Sequence, residues 1–293
     1  MTWRTVCITE AAKLELKLGY LVVRGETVAR VALSEINTLL IESTAAAITT
    51  SLLCELSRRK IKVVFCDEKH NPYAELTDYY GSVDSTSRIR NQIAWPVSLK
   101  NAVWTEIVRD KLNQQAALLE RREKPEAELI RKYISELKPA DSTNREGHAA
   151  KVYFNALFGR GFSREKDIPI NAALNYGYSI LLSSFNKEIL SRGYLTQLGL
   201  FHDNQFNPFN FSSDLMEPFR PLVDELVLNL QPAEFAQEQK HAVLTLLNHT
   251  VVIEESKQRV LQAINLYCSS VFRALEQEDT SQLSFYTWSD SCE

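Results

Sequence analysis

Apolar positions divide the chain of 293 residues into a β-rich beginning and a long helical remainder. Short segments near the start alternate apolar and polar residues or carry β-branched ones, and glycines separate several of them. A run with helical spacing at 44–59 and an apolar strand at 61–66 follow, so residues 1–76 are predicted to be a β-rich domain with one covering helix. The earlier predicted strands lie at 4–8, 13–18, 20–24, 28–33 and 38–41.

The composition then changes to Asp, Asn, Pro, Tyr, Ser, Thr and Gly, which predicts a linker at 77–95. From Pro96 onward apolar residues recur at the helical period, and the tail from Glu276 is polar and predicted to be loosely ordered. The fold class is therefore α+β, with an N-terminal β-rich domain followed by an all-helical domain at 96–293. Its predicted helices lie at 97–121, 126–137, 145–158, 170–182, 233–247 and 256–275.

Cysteine usage and hydropathy limit the protein class. The five cysteines are odd in number and form no Cys-x-x-Cys pair, which argues against a disulfide framework and a zinc ribbon and fits a reducing compartment. No basic start precedes an apolar run, and no stretch approaches the roughly 18 apolar residues that cross a bilayer. We therefore expect a cytoplasmic protein without a membrane segment.

Charge is unevenly distributed along the chain. The net charge is −4, which gives no global signature of nucleic-acid binding. Residues 88–167, however, contain sixteen Lys or Arg against eleven Asp or Glu, a local balance of +5 that leaves about −9 for the rest. This window allows a basic surface on an acidic protein, although charges that simply solvate helix faces account for it equally well.

The segment from 199 to 224 carries the candidate chemistry. His202 lies in a loop rich in Asn, Phe and Pro, and Ser212 and Ser213 are N-cap candidates for a helix that is predicted to begin near Asp214. Two prolines of the segment then fall in or just after the first helical turn, where a missing N–H is tolerated.

Asp214 and Glu217 are three residues apart, a spacing that places two carboxylates on one helix face within reach of a single cation. His202 can fold back to join them. Mixed nitrogen and oxygen ligands suit Mg²⁺ or Mn²⁺, and zinc stays open. Against this hypothesis, acidic residues in a first helical turn are favoured by the helix dipole without any ligand.

Five segments together resemble one family, the CRISPR-associated integrase of the adaptation machinery, which inserts new spacers into CRISPR arrays. Each segment is short, but they occur in the family's order with its spacing and span most of the chain. The overall length and the glutamate at the last ligand position are similar to the version that accompanies type II systems. The segments are Ile61-Lys-Val-Val-Phe-Cys-Asp67, Asn144-Arg-Glu-Gly-His-Ala-Ala-Lys-Val-Tyr-Phe154, Asn171-Ala-Ala-Leu-Asn-Tyr-Gly-Tyr178, Gly199-Leu-Phe-His202 and Asp214-Leu-Met-Glu-Pro-Phe-Arg-Pro221.

The resemblance implies that Glu146, His202 and Glu217 are the catalytic metal ligands, with Asp214 as a nearby acidic residue. Glu146 would come from one helix, while His202 and Glu217 would hold Mg²⁺ or Mn²⁺ from the other side. Many relatives have Asp at the position of Glu217, whose longer side chain keeps the charge but changes its reach. Arg220 is a candidate for the scissile phosphate, or for an ion pair with Asp214 or Asp224.

Three further residues are candidates for substrate contact or for support of the ligands: Asn175, Tyr178 and His148. Tyr178 and its neighbour Tyr176 fit core aromatics better than substrate contacts. His148 follows Glu146 closely, although a surface histidine is the simpler interpretation. Polar residues within the apolar helix at 170–182 must find partners or line a site.

The resemblance also implies the reaction and the assembly. The 3′-OH of a protospacer strand would attack a phosphodiester at the border of the CRISPR repeat, a transesterification without a covalent enzyme intermediate. The protein would act as a homodimer, with the β domain as scaffold and dimerisation domain and the helical domain as catalytic domain. Its partners would be double-stranded DNA, both protospacer and leader-repeat, a small ferredoxin-like adaptation protein and other type II system proteins.

Two other functions stay open at this point. The same site could serve a metal-dependent nuclease that cuts branched or nicked DNA, by running strand transfer backwards or by admitting water. A non-catalytic DNA-binding scaffold is the third possibility. The presence of Glu146, His202 and Glu217 together argues against a scaffold, since a degenerate relative should have lost at least one ligand.

Overall fold

The computed structural model describes residues 4–78, 82 and 84–289. The chain divides between residues 83 and 84 into two compact units. The division falls inside the predicted linker.

The first unit contains two four-stranded sheets. In the first sheet β1, β5 and β7 run parallel, and β8 adds to the edge in the antiparallel direction. In the second sheet β4, β3 and β2 are antiparallel, and β6 pairs in parallel with β2. The strands are β1 Arg4–Ile8, β2 Lys13–Lys17, β3 Tyr20–Arg24, β4 Val28–Ala32, β5 Ile36–Ile41, β6 Ala47–Ile48, β7 Lys62–Cys66 and β8 Pro72–Glu75.

Helix α1 (Thr50–Arg58) contributes Leu52 and Leu56 to a core that includes Leu14 of β2 and Val63 of β7. The predicted helix at 44–59 was therefore too long at its start. Ala47 and Ile48 pair with Lys13 and Leu14 instead, because the neighbouring edge of β2 supplies backbone partners that a helix would forgo.

The predicted linker contains a helix, α2 (Ser85–Ala94). Its Gln92 is buried, accepts a hydrogen bond from the backbone N–H of Leu195 at 2.9 Å, and donates to the carbonyls of Leu195 and Leu198. These long-range contacts stabilise a helix that the polar composition alone did not predict.

Helices dominate the second unit, as predicted. The bounds of α3 and α5 agree with the predicted ones, while α6 continues well beyond its predicted end at residue 182. The helices are α3 Val97–Arg121, α4 Glu126–Ser135, α5 Arg145–Phe158, α6 Pro169–Ser191, α7 Asn210–Met216, α8 Arg220–Leu230, α9 Gln237–Leu244 and α10 Val260–Gln277.

The second unit is not all-helical, although the α+β class is confirmed. Strands β9 (Thr250–Ile253), β10 (Ser256–Arg259) and β11 (Thr287–Trp288) form an antiparallel sheet. The hairpin turns at Glu254 and Glu255, both at positive φ, so the helix predicted at 256–275 begins only at residue 260.

The part of the C-terminal tail that the structure describes is packed against the helices, contrary to the prediction of a loosely ordered tail. Tyr286 is fully buried and donates its hydroxyl to the carbonyl of Pro218 at 3.1 Å. The polar composition of the tail did not predict this contact, because a single aromatic side chain fixes an otherwise polar segment. No helix in the described ranges is both long and apolar enough to cross a membrane.

Candidate metal centre

Glu146 lies in the first turn of α5, and local hydrogen bonds fix its position. The carboxylate of Asp141 accepts from the backbone N–H groups of Arg145 and Glu146 at 2.7 and 2.9 Å. Asn144 caps the helix and accepts from the N–H of Gly147 at 3.3 Å. The cap-rich entry to this helix was predicted, and it confines the Glu146 backbone to one place.

Glu217 lies where the helix breaks. Helix α7 ends at Met216, a 3₁₀ turn covers Glu217–Phe219, and α8 begins at Arg220. Pro218 has no N–H to offer a continuous helix, which accounts for the interruption.

The predicted helix start near Asp214 is wrong. Helix α7 begins at Asn210, and the buried Ser212 lies inside it rather than capping it. The side chain of Asn210 accepts from the N–H of Asn204 at 3.3 Å and donates to the carbonyls of Gln197 and Asn204, so this loop is tied to the helix start. Such loop contacts are not visible in helix-cap patterns.

Lys111 connects the two glutamates. It comes from the middle of α3, and its Nζ lies 2.5 Å from Glu146 Oε1 and 2.5 Å from Glu217 Oε2. The side chains of Lys111 and Glu217 are only 10% and 4% exposed, whereas Glu146 is 24% exposed. Two carboxylates from different elements therefore share one cationic group at the rim of a largely buried site.

Arg220 supplies the second cation of the site, with its Nε 3.0 Å from Glu217 Oε1. It pairs with Glu217 rather than with either of the partners considered from sequence. Burial alone would raise the pKa of Glu217, but the guanidinium of Arg220 and the ammonium of Lys111 together lower it. Glu217 is therefore a buried carboxylate that stays ionised.

His202 is oriented by Asp214. Its Nδ1 lies 2.6 Å from Asp214 Oδ1, which also accepts from the backbone N–H of His202 at 3.1 Å. The hydrogen bond to Asp214 raises the pKa of His202 above its ordinary value of 6.5, and Glu217 and Glu146 add to the effect. With Nδ1 donating to Asp214, Nε2 is the ring nitrogen that can bind a cation.

Asp214 itself is fully buried, and its carboxylate is used by protein donors. Its Oδ2 accepts from the N–H groups of Leu200 and Phe201 at 2.6 and 3.1 Å. The preceding loop and His202 thus occupy the carboxylate of Asp214, whereas Glu217 pairs with Lys111 and Arg220. Asp214 contacts His202 directly, and its role as an acidic residue beside the metal ligands stays a prediction of the family resemblance.

Gly199 allows this loop to close. A Cβ at this position would clash with the carbonyl oxygen of His202 and would lie 2.7 Å from Asp214 Oδ2. The first residue of the Gly199-Leu-Phe-His202 segment is therefore fixed by close approach, which brings the histidine over its carboxylate partner.

Tyr178 faces a buried carboxylate beside the site. Its hydroxyl donates to Asp224 Oδ1 at 2.5 Å, and the hydroxyl of Tyr153 donates to Asp224 Oδ2 at 2.8 Å. Burial raises the pKa of Asp224 to about 6, against the opposing effect of the two hydroxyls. The guanidinium of Arg220 lies over the Tyr178 ring, 4.8 Å from its centroid. Tyr178 is therefore a core residue that connects the ligand region to Asp224.

Asn175 lies on the exposed side of the same helix and accepts from Arg164 Nη2 at 2.5 Å. The guanidinium of Arg164 also lies over the ring of Tyr178, with its Cζ 5.3 Å from the ring centroid. His148 is exposed, and its ring lies near that of Tyr133, 6.2 Å between centroids. The surface interpretation of His148 therefore agrees with its position.

The structure thus groups Glu146 and Glu217 around the ammonium of Lys111, with Arg220 on the second oxygen of Glu217. Both glutamates also raise the pKa of the oriented His202. Sequence reasoning missed Lys111. The sequence shows only a lysine within a helix of recurring apolar residues, and a lysine exposed to solvent would give the same pattern.

The Lys111 ammonium lies where two carboxylates meet, and a divalent ion would need the same carboxylate oxygens. Among the described residues, no group of three His, Cys, Asp or Glu side chains stands ready to hold a metal ion. Glu217 Oε2 is nevertheless buried without a well-directed hydrogen bond, although Lys111 Nζ is an ion-pair partner at 2.5 Å. Glu217 Oε2 is thus a charged, buried oxygen that already faces a cation. Together with the imidazole that Asp214 orients, it fits a metal ligand.

A family model described as CRISPR associated protein Cas1 matches residues 6–265 of the chain. The chain is also 33% identical over 291 residues to a CRISPR-associated endonuclease Cas1 from Neisseria meningitidis serogroup C. That match covers 97% of this chain and 95% of the relative.

Two solved structures share the fold at low sequence identity. A casposase bound to an integration product matches with a TM-score of 0.73 and 16% identity, over 95% of this chain and 92% of the casposase. A chain of a Cas6-RT-Cas1–Cas2 complex matches with a TM-score of 0.71 and 16% identity. The match covers 96% of this chain but only 36% of that longer one.

Proposed function

Since the chain belongs to the Cas1 family of CRISPR-associated proteins, we propose that it is a metal-dependent DNA integrase of spacer acquisition. In this reaction the 3′-OH of a protospacer strand attacks a phosphodiester at the border of the CRISPR repeat. The single observation that carries the proposal is the convergence of Glu146 and Glu217 on one cation beside the oriented His202.

Glu146, Glu217 and His202 Nε2 are the residues that would hold the metal ion. Mg²⁺ and Mn²⁺ accept two carboxylates and one imidazole and keep positions for water and substrate. When bound, such an ion offsets negative charge on a phosphodiester and makes a hydroxyl a better nucleophile. Zinc is the weaker candidate, since this set has two carboxylates and one imidazole, and oxygen-rich sets favour Mg²⁺ and Mn²⁺.

The protein side chains around these ligands position the reacting groups. Asp214 holds the His202 ring so that Nε2 is available, and Gly199 lets the loop reach that geometry. Arg220 is part-exposed and borders Glu217, which places a permanent positive charge where a scissile phosphate would lie. Hydrogen bonding and charge thereby fix the ligands before DNA arrives, as electrostatic catalysis requires.

The partners follow from the proposed reaction. The substrates are double-stranded protospacer DNA and the leader-repeat DNA, both in the cytoplasm, and the basic window at 88–167 is the part of the sequence suited to them. We place a small ferredoxin-like companion and a second copy of the chain in the complex. The glutamate at position 217 supports assignment to the type II version.

A nuclease that cuts branched or nicked DNA is the second candidate, because the Neisseria relative is named an endonuclease. Hydrolysis and strand transfer use the same site and differ in whether water or a 3′-OH attacks. Three predicted ligands present together argue against the non-catalytic scaffold.

The test is a strand-transfer assay. A labelled duplex with 3′-OH ends is incubated with a plasmid bearing leader and repeat, the protein, its companion, and Mn²⁺ or Mg²⁺. Wild type is compared with Glu217→Ala, with the exposed Glu234→Ala as matched control. The integrase proposal predicts label joined at the repeat border with wild type and Glu234→Ala, but not with Glu217→Ala. Nicking without joining would favour the nuclease, and DNA binding without any chemistry would favour the scaffold.

A further inference from the structure

Lys111 contacts two of the predicted metal ligands, yet the proposed reaction does not use its chemistry. It lies on α3, an element that carries none of the three predicted ligands. Its Nζ is nevertheless 2.5 Å from one oxygen of Glu146 and 2.5 Å from one oxygen of Glu217. The Lys111 side chain is only 10% exposed, so it does more than solvate the helix surface, since an ammonium is seldom buried without partners.

The oxygen contacts define what a divalent ion would meet. Both oxygens of Glu217 are engaged by cationic groups, Oε1 by Arg220 and Oε2 by Lys111. Arg220 and Lys111 together balance the charge of Glu146 and Glu217. A metal ion that binds both carboxylates therefore has to take Glu217 Oε2 from the ammonium or share it, because O–metal distances are about 2.1 Å for Mg²⁺.

On these contacts, and resting on the proposed function, we propose that Lys111 is the positioning residue of the carboxylate pair and the competitor of the metal ion. Its ammonium holds Glu146 and Glu217 together before an ion binds. It gives up Glu217 Oε2 when the ion arrives. Lys111 thereby lowers the affinity for metal while it keeps two like charges at a usable separation.

Lysine is suited to both halves of this role. Its ammonium is a compact charge on a flexible stem of four carbons, so it can leave one oxygen and stay near the other. An arginine, with its planar fork, would bind the carboxylates more rigidly. A neutral side chain would leave two carboxylates facing each other, which disfavours the ionised pair.

The test compares Lys111→Met with wild type, using Lys151→Met, an exposed lysine of α5, as matched control. Thermal unfolding is measured in a chelator, and Mn²⁺ binding is measured by isothermal titration calorimetry. We expect Lys111→Met to unfold at lower temperature in the chelator and to bind Mn²⁺ more tightly, on the order of tenfold, because a positive charge beside the ion is gone. Lys151→Met should match wild type in both.

Unchanged or weaker Mn²⁺ binding by Lys111→Met would overturn the competition. If that variant does not fold, the double variant Lys111→Met/Glu217→Gln removes one carboxylate charge as well. It should recover folding if the ammonium acts through the carboxylates, and equal failure of the double variant would overturn the proposal. Wild type that binds no Mn²⁺ would overturn the metal-dependent function itself, whereas wild type that binds while Lys111→Met gains nothing would overturn only the role of Lys111.

Discussion

Asp214 Oδ1 lies 2.6 Å from His202 Nδ1, and the same carboxylate accepts hydrogen bonds from three consecutive backbone N–H groups, at Leu200, Phe201 and His202. One buried side chain thus fixes both the loop and the ring that it carries. A carboxylate behind a ligating histidine sets its tautomer and raises its basicity.

Replacement of Asp214 by Asn should weaken metal binding. An amide presents an NH₂ group toward at least one of these donors, and it cannot support His202 as the carboxylate does. We expect Mn²⁺ affinity to fall about 10- to 100-fold. Calorimetric titration measures it, with the exposed Asp203→Asn as matched control. An affinity equal to wild type would show that the pair does not orient a ligand.

Metal affinity should depend on pH through His202. The hydrogen bond to Asp214 raises the pKa of this histidine above 6.5, and the metal requires the neutral ring. Mn²⁺ binding should therefore strengthen as pH rises through a midpoint above 6.5, and Asp214→Asn should move that midpoint down. The same raised pKa stabilises the metal-free protein below 6.5, a contribution that is lost as pH rises through the folded-state value. Titrations from about pH 6 to about pH 8 check this, and a flat profile would contradict it.

Gly199→Ala should reproduce the loss caused by Asp214→Asn without changing any polar group. The added Cβ clashes with the carbonyl of His202 and crowds Asp214, so the loop must open. Gly25→Ala is the matched control, since its Cβ would meet the nearest atom at an ordinary 3.5 Å. We expect Gly199→Ala to bind Mn²⁺ more weakly than wild type, and Gly25→Ala to bind it as wild type does. Equal behaviour of the two variants would show that the close approach is not needed.

Removal of either tyrosine hydroxyl that donates to Asp224 should destabilise the protein. Tyr153→Phe and Tyr178→Phe each leave a buried carboxylate oxygen without its donor, at a cost of about 1–3 kcal/mol in the free energy of unfolding. The double variant should deviate from additivity, because both hydroxyls serve one group. Urea denaturation measures these changes against Tyr73→Phe, whose side chain is 83% exposed. Values equal to that control would mean that the hydroxyls do not support Asp224.

Local patterns predicted the elements whose own residues determine them. The helix Val97–Arg121 and the strand Arg4–Ile8 have the bounds expected from apolar spacing. The hairpin at 250–259 was not predicted, although its first strand carries the β-branched run Thr250-Val-Val-Ile253. Helix α2 depends on the contacts of Gln92 with Leu195, over a hundred residues away in sequence, which no local pattern contains.

The candidate site divides in the same way. Family-like segments selected Glu146, His202 and Glu217. The structure brings Glu146 and Glu217 together on Lys111, while the metal-binding role of the three residues stays a prediction. The partners of these residues were harder to predict, because an ion pair is a property of the assembled fold. Lys111 and Glu217 are 106 positions apart, and Asp214 was expected on a shared cation but is enclosed by the loop before it.

The most direct measurement is the location of Mn²⁺ by anomalous X-ray scattering at the manganese edge, in crystals of wild type and of Glu217→Ala. We expect a peak bounded by Glu146, Glu217 and His202 in wild type, with Lys111 Nζ withdrawn from Glu217, and no peak there in the variant. A peak that avoids these side chains, or one that survives in Glu217→Ala, would contradict the assignment of this site as the metal centre for DNA joining.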